Sequence, residues 1–153
     1  MNINTTMGIK SIKYGDVGGS SLTAVGDVYQ ETCTFVENDK TTTEHKSETS
    51  KKKIVINKSE GYKLQFSIMD PTAEELKAFK GGTVTSGVWT EADDDPQINM
   101  KMEIEPIVGK TLLLDDVSVT AKINTTYSST GITLLEVVCV PQSKIKYKAA
   151  SAS

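Results

Sequence analysis

The stretch Gln97-Ile98-Asn99-Met100-Lys101-Met102-Glu103-Ile104-Glu105 decides the fold class of this chain. Apolar Ile98, Met100, Met102 and Ile104 alternate strictly with polar neighbours. A period of two sends the two sets to opposite faces of a β-strand. One apolar and one polar face is the mark of an antiparallel sheet with a core on one side and water on the other. The same alternation recurs at 62–68, where Tyr62, Leu64, Phe66 and Ile68 oppose Lys63, Gln65 and Ser67. It recurs again at 117–124, where Val117, Val119, Ala121 and Ile123 oppose Ser118, Thr120, Lys122 and Asn124.

Working outward, further strands are expected at 8–14, 29–37, 52–58, 83–90 and 132–140, with a short terminal strand at 143–148. The segment Ile132–Val140, ITLLEVVCV, is apolar at nearly every position, so it is expected to be central and covered on both faces. One helix interrupts the strands. Asp70-Pro71-Thr72-Ala73-Glu74-Glu75-Leu76-Lys77-Ala78-Phe79-Lys80-Gly81-Gly82 carries start and stop signals together. Pro71 suits a first turn, Thr72 with Glu75 spells a capping box, and Asp70 is a competing cap. Glu74 and Glu75 sit at the positive end and Lys77 and Lys80 at the negative end, with Gly81 as the stop. The helix is expected over about 71–80, packed on a sheet through Leu76 and Phe79. The expected architecture is a mainly-β single domain over 8–148: an antiparallel β-sandwich or partly open barrel with this one flanking helix, and a tail at 149–153.

Composition excludes several function classes. The chain has 153 residues, 37% hydrophobic and 24% charged, which suits one globular domain. Its longest apolar runs, 112–114 and 137–140, are too short to span a bilayer, and MNINTTMGIK lacks the form of a signal peptide. The expectation is a protein without membrane anchor. The net charge is −3, and all 17 basic residues are lysine. Arginine is the residue best suited to bidentate grip on phosphate, so tight, specific nucleic-acid recognition is not expected. Cys33 and Cys139 sit in expected strands and read as small buried hydrophobes. Sequons at Asn4, Asn57 and Asn124 are read as chance in a chain rich in Ser and Thr.

No catalytic constellation emerges, and the chain is expected not to be an enzyme. His45, the only histidine, has no nucleophile or acid in a triad pattern. One His and two distant Cys do not make a zinc site. Glu91-Ala92-Asp93-Asp94-Asp95-Pro96 lacks the spacing of an EF-hand loop and reads as an acidic turn. Gly109-Lys110-Thr111 ends like a phosphate loop, but Ile104 stands where its first glycine belongs. No cofactor and no metal is expected.

Charge distribution is more informative. From Lys40 to Lys63 there are seven lysines against Glu44, Glu48 and Glu60, and from Glu91 to Glu105 six acids against Lys101. One chain thus carries a basic and an acidic segment, which suits head-to-tail contact between identical subunits. Lys51, Lys52 and Lys53 are the candidate basic side of that contact, and Glu91, Asp93, Asp94 and Asp95 the acidic side. The polar segment 38–53 has no place in a monomer's core and is expected to be ordered by a neighbouring copy.

An all-β chain of this length with one short helix entered from an alternating strand resembles the tail tube proteins (major tail proteins) of tailed bacteriophages. The segment Gln65–Gly82 carries the resemblance, with its Asp-Pro-Thr helix start and Gly-Gly close, and the long polar loop or hairpin upstream at 38–53 fits too. The resemblance implies a subunit of the virion tail, assembled in the host cytoplasm into stacked, hexameric rings. These would form the conduit for DNA ejection, with other tail proteins as partners and double-stranded DNA passing through. The polar sets Gln97, Asn99, Lys101, Glu103 and Ser118, Thr120, Lys122 are then the expected lining of the lumen. A few phosphate anchors and no arginine suit a channel that must release DNA. The alternative is a sugar- or protein-binding β-sandwich module, secreted or displayed on a virion. Such a module needs exposed aromatics, and among nine aromatics Trp89, beside the acidic turn, is its candidate.

Overall fold

The computed structural model describes residues 8–149 and is mainly β. Strands β1 (Ser11–Gly15), β2 (Thr23–Ala24), β3 (Thr34–Glu37), β4 (Thr41–Lys46), β5 (Lys53–Lys58) and β6 (Tyr62–Met69) precede the helix α1 (Ala73–Lys80). Strands β7 (Thr83–Thr85), β8 (Val88–Thr90), β9 (Ile98–Glu105), β10 (Thr111–Thr125), β11 (Thr133–Pro141) and β12 (Ile145–Lys148) follow it. The main sheet runs in the order β2-β1-β9-β10-β11-β6-β3, with β12 also on β10; β4-β5 and β7-β8 are separate hairpins. All the paired strands are antiparallel, as alternation requires.

The core is where alternation places it. Met100, Met102 and Ile104 of β9 meet Val117 and Val119 of β10, Leu135, Val137 and Cys139 of β11, and Leu64, Phe66 and Ile68 of β6, all buried. The sheet curls around this core. Three strands separate β1 from β6 in the sheet, yet the Phe79 ring lies 4.9 Å from that of Tyr14 and 6.1 Å from that of Phe66. One helical residue therefore closes the space between the two wings. The segment after β2 spans the seam. The Val25 N–H donates to Ile12 (2.8 Å), the Tyr29 N–H to Ser67 (2.8 Å), and the Met69 N–H to Asp27 (2.7 Å). The chain passes from the β1 edge to the β6 edge without a continuous ladder, so the barrel stays open.

The helix begins and ends as its caps dictate. Thr72 is the N-cap in a full capping box with Glu75, and Pro71 lies just outside. Gly81, at φ 79°, is the stop, and its N–H donates to Lys77. Phe79 is fully buried, whereas Leu76 is half-buried and Glu75, not Leu76, is the second buried residue of the helix. The carboxylate does this without being orphaned. Its Oε1 accepts from the Thr72 N–H and hydroxyl (both 3.1 Å), and its Oε2 from the Gly26 N–H (3.0 Å). One residue both caps the helix and ties it to the seam.

Several expectations need correction. The expected strand at 29–37 is only β3, because Glu31 at φ 58° turns the chain first. The expected strand at 83–90 is a hairpin turning at Ser86-Gly87, both at positive φ, as a two-residue hairpin turn requires. β11 is central, but only one face is sealed: Leu135, Val137 and Cys139 are buried, Leu134 and Val138 half-buried, and Val140 exposed. Ile123 is 41% exposed because β10 runs past the end of the core. The run Leu112–Leu114 is part of β10 itself, joined to 117–125 across a bulge at Asp115-Asp116. Of the expected tail at 149–153 only Ala149 lies within the described residues, and Asn4 lies outside them.

Candidate functional site: a projecting hairpin and a polar sheet face

The polar segment expected to await a neighbour is largely strand. β4 and β5 pair residue for residue from Thr41/Lys58 to Lys46/Lys53. The hairpin grows out of the β3-β6 ladder through a narrow root. There the Asn38 N–H donates to Gly61 (2.8 Å), the Asn38 amide to Glu60 (3.1 Å), and the Thr41 hydroxyl to the Glu60 carboxylate (2.8 Å). Every residue of both strands is exposed. Six residues of antiparallel strand reach about 20 Å, so this is an arm, held among the described residues by its root alone.

The arm is two-faced. Opposed residues of an antiparallel pair share a face. Ile54 with His45, and Ile56 with Thr43, therefore form one face, whose isoleucines are 49% and 52% exposed. The other face carries Val55 with Glu44 and Lys53 with Lys46. Lys53 Nζ lies 3.0 Å from Glu44 and Lys46 Nζ 3.8 Å from it. Of the candidate basic residues, Lys53 is thus engaged within its own arm. Lys51 and Lys52 stand exposed in the turn at its tip. Sequence reasoning missed Ile54, Val55 and Ile56 as site residues. Their signal was present: three consecutive apolar residues between Lys53 and Asn57, breaking the alternation that marks a half-buried strand.

The acidic candidates Glu91, Asp93, Asp94 and Asp95 are exposed in the loop between β8 and β9. Among the described residues no ion pair joins this loop to the arm. Its end is fixed by Pro96, packed so closely on Gly81 that a Cβ there would meet Pro96 Cγ at 2.6 Å.

The structure gathers Gln97, Asn99, Lys101, Glu103, Ser118, Thr120 and Lys122 on the one sheet face opposite the core. The Gln97 amide donates to Asn99 and Ser118 (both 3.0 Å), and Asn99 donates to Asp116 (2.9 Å). Lys122 pairs with Glu136 at 3.8 Å, and Lys146 with Asp115 at 2.7 Å. The hydrogen-bonded Lys146 ammonium holds the Asp115 carboxyl below its usual range. Two lysines of this face are thus ion-paired, while Lys101 donates to the Gly19 carbonyl (3.4 Å), so the wet surface mixes both signs of charge.

Other candidates are committed elsewhere. The Trp89 indole N–H donates to the Gly81 carbonyl (2.9 Å), and its ring is half-buried against the end of α1. That side chain pins the β7-β8 hairpin to the end of α1. Burial pushes the Cys33 thiol up to about 11 and that of Cys139 to about 12, and Cys139 Sγ sits 3.4 Å from Met102 Sδ. Among the described residues no cluster of three or more metal-ligating side chains occurs, and no helix is long and apolar enough to cross a membrane. Compared with protein-family models and with curated proteins, the chain finds no match.

Proposed function

We propose that this chain is the self-assembling structural subunit of a hollow tube of the bacteriophage-tail kind, built of stacked rings. It acts as a virion component and not as an enzyme. The observation that carries the reading is the β4-β5 arm: a two-stranded sheet, exposed on both faces, with Ile54 and Ile56 on one of them. A lone two-stranded hairpin is marginally stable in water, so an arm of this length gains most by lying against another surface. In a homo-oligomer every copy supplies both arm and surface. The polar face of β9 and β10 supports the conduit part of the reading. Its mixture of both charge signs and its lack of arginine suit a wall past which double-stranded DNA slides without being held. The exposed Lys51 and Lys52 at the arm's tip and the exposed Glu91, Asp93, Asp94 and Asp95 form the electrostatic part of the contact.

Electron micrographs of the purified protein test the reading. Rings or tubes of uniform bore are the expected result. Only monomer in light scattering and micrographs, at high protein concentration and low salt, would refute it. Charge reversal of Lys51, Lys52 and Lys53 to Glu should weaken assembly, and reversal of Asp93, Asp94 and Asp95 to Lys in the same molecule should partly restore it.

A further inference from the structure

The backbone of the arm states how it can be extended. The Ser47 N–H donates to the Lys52 carbonyl (3.0 Å), and the ladder pairs Lys46 with Lys53, His45 with Ile54, Glu44 with Val55, Thr43 with Ile56 and Thr42 with Asn57. Bonded and non-bonded pairs alternate along an antiparallel ladder. Counting from Ser47/Lys52, the pairs His45/Ile54 and Thr43/Ile56 turn their N–H and C=O inward. Thr42, Glu44 and Lys46 on β4, and Lys53, Val55 and Asn57 on β5, turn theirs outward. Among the described residues both outward rows are unpaired, since β4 and β5 ladder only with each other.

Such edges are templates for pairing, and monomeric proteins blunt them with proline, a bulge or a covering element. The arm has no proline, its register runs without a bulge, and among the described residues no other element covers it. Its guards are charged side chains, lysines near the strand ends and Glu44 on β4. The two edges also differ in charge pattern. The β4 edge has Glu44 at its middle, and the β5 edge begins with Lys53.

We infer that the β5 edge of one copy pairs antiparallel with the β4 edge of the next, joining the arms into one continuous sheet. This rests on the self-assembly reading above and names its seam. In the register that sets Lys53 opposite the next copy's Glu44, Val55 falls opposite Thr42. All four residues turn their backbone groups outward, so both pairs exchange hydrogen bonds. The same register sets Ile54 opposite Thr43 and Ile56 opposite Thr41, which keeps the apolar face continuous from copy to copy. Because the two edges are different strands, the contact is heterologous: it repeats in one direction and closes into a ring when the rotation allows.

The test blocks one edge at a time in the full chain. Val55 has an outward N–H, so Val55→Pro removes a donor from the β5 edge and leaves the arm's own ladder bonded. Glu44→Pro does the same to the β4 edge. In light scattering each variant is expected to be monomeric, and Val55→Thr, which keeps the N–H, to assemble like the parent. An equimolar mixture of the two proline variants is expected to stop at dimers, because one unblocked edge of each kind remains. A second pair leaves the backbone untouched: Glu44→Lys should weaken assembly about tenfold and Glu44→Lys/Lys53→Glu should recover it. A proline variant or Glu44→Lys that assembles like the parent overturns the inference. So does assembly that is lost in Ile54→Thr/Ile56→Thr yet unaffected by the prolines, which would mean that arms pack face to face. A parent chain that stays monomeric overturns the self-assembly reading itself.

Discussion

Replacing Glu75 by alanine should cost far more than a helix-surface substitution. Glu75 is 6% exposed, and its carboxylate accepts three hydrogen bonds, from the Thr72 N–H and hydroxyl and from the Gly26 N–H. The loss has two parts. Dissolving the capping box costs about 1 kcal/mol. Losing the charge-assisted bond across 49 residues of chain to Gly26 is worth about 1.5–3 kcal/mol when sealed from water. Gly26 itself is exposed, so water replaces part of that bond and the lower end applies. The sum is about 2.5 kcal/mol, or a fall in Tm of roughly 5–10 °C for a domain of this size. Glu75→Gln keeps a carbonyl acceptor and the side chain's reach, and should lose about half as much. Thermal unfolding followed by circular dichroism gives the numbers. Amide exchange at Gly26 gives the mechanism, since it should quicken in the alanine variant before global unfolding does. If Glu75→Ala melts within about 1 °C of the parent, the tie between helix and seam contributes nothing and the reasoning fails.

Three further outcomes are expected. The raised Cys33 and Cys139 thiols, at about 11 and about 12, are neutral at pH 8, so iodoacetamide should label Cys33 slowly and Cys139 only in denaturant; rapid labelling of Cys139 in the folded chain would contradict its burial. Ser86 holds φ 52° in the β7-β8 turn, so Ser86→Asn, which tolerates that region and precedes Gly87, should stabilise by about 0.5–1 kcal/mol in urea unfolding; a loss of stability would refute the turn geometry. The Asp115 carboxyl, held low mainly by its hydrogen bond to Lys146, contributes stability that is present above its unfolded pKa and lost as pH falls through its folded one. Lys146→Ala should raise that pKa in an NMR titration. Because both side chains are about half exposed, it should cost under about 1 kcal/mol; an unmoved titration would mean the pair does not form in solution.

Much of this fold was legible residue by residue. The alternation in 62–68, 97–105 and 117–124 identified the core face of β6, β9 and β10, because a half-buried antiparallel strand leaves a period of two. The capping box Thr72/Glu75 was legible, since the orphan N–H groups of a helix start need specific side chains, but the expected start at about 71 falls before the observed one at Ala73, and Thr72 rather than the competing Asp70 is the cap. What escaped were places where one signal carries two meanings. The acids Asp115 and Asp116, which follow the apolar run 112–114, are a bulge inside one 15-residue strand. Glu75 reads identically as a local cap whether or not a distant backbone group completes its shell. The segment ITLLEVVCV promised two covered faces, yet apolar content alone does not say whether a second layer exists. The candidate site divided in the same way. The polar sheet face followed from alternation, but the arm's edges did not, because the direction in which a backbone N–H points depends on the pairing register and not on residue type.

The arm's root has an evolutionary consequence. At Asn38 and Gly61 the two strands entering the arm are already joined by a 2.8 Å hydrogen bond, and the buried core draws no residue from between them. The 22 residues 39–60 therefore behave as a cassette: a short turn placed after Asn38 would reconnect the chain with the body's ladder unchanged. Insertions, deletions or wholesale exchange of the arm can then alter what the protein fits against while its folding stays with the body. Selection can tune length, edge and charge there almost free of the constraints that govern the sheet.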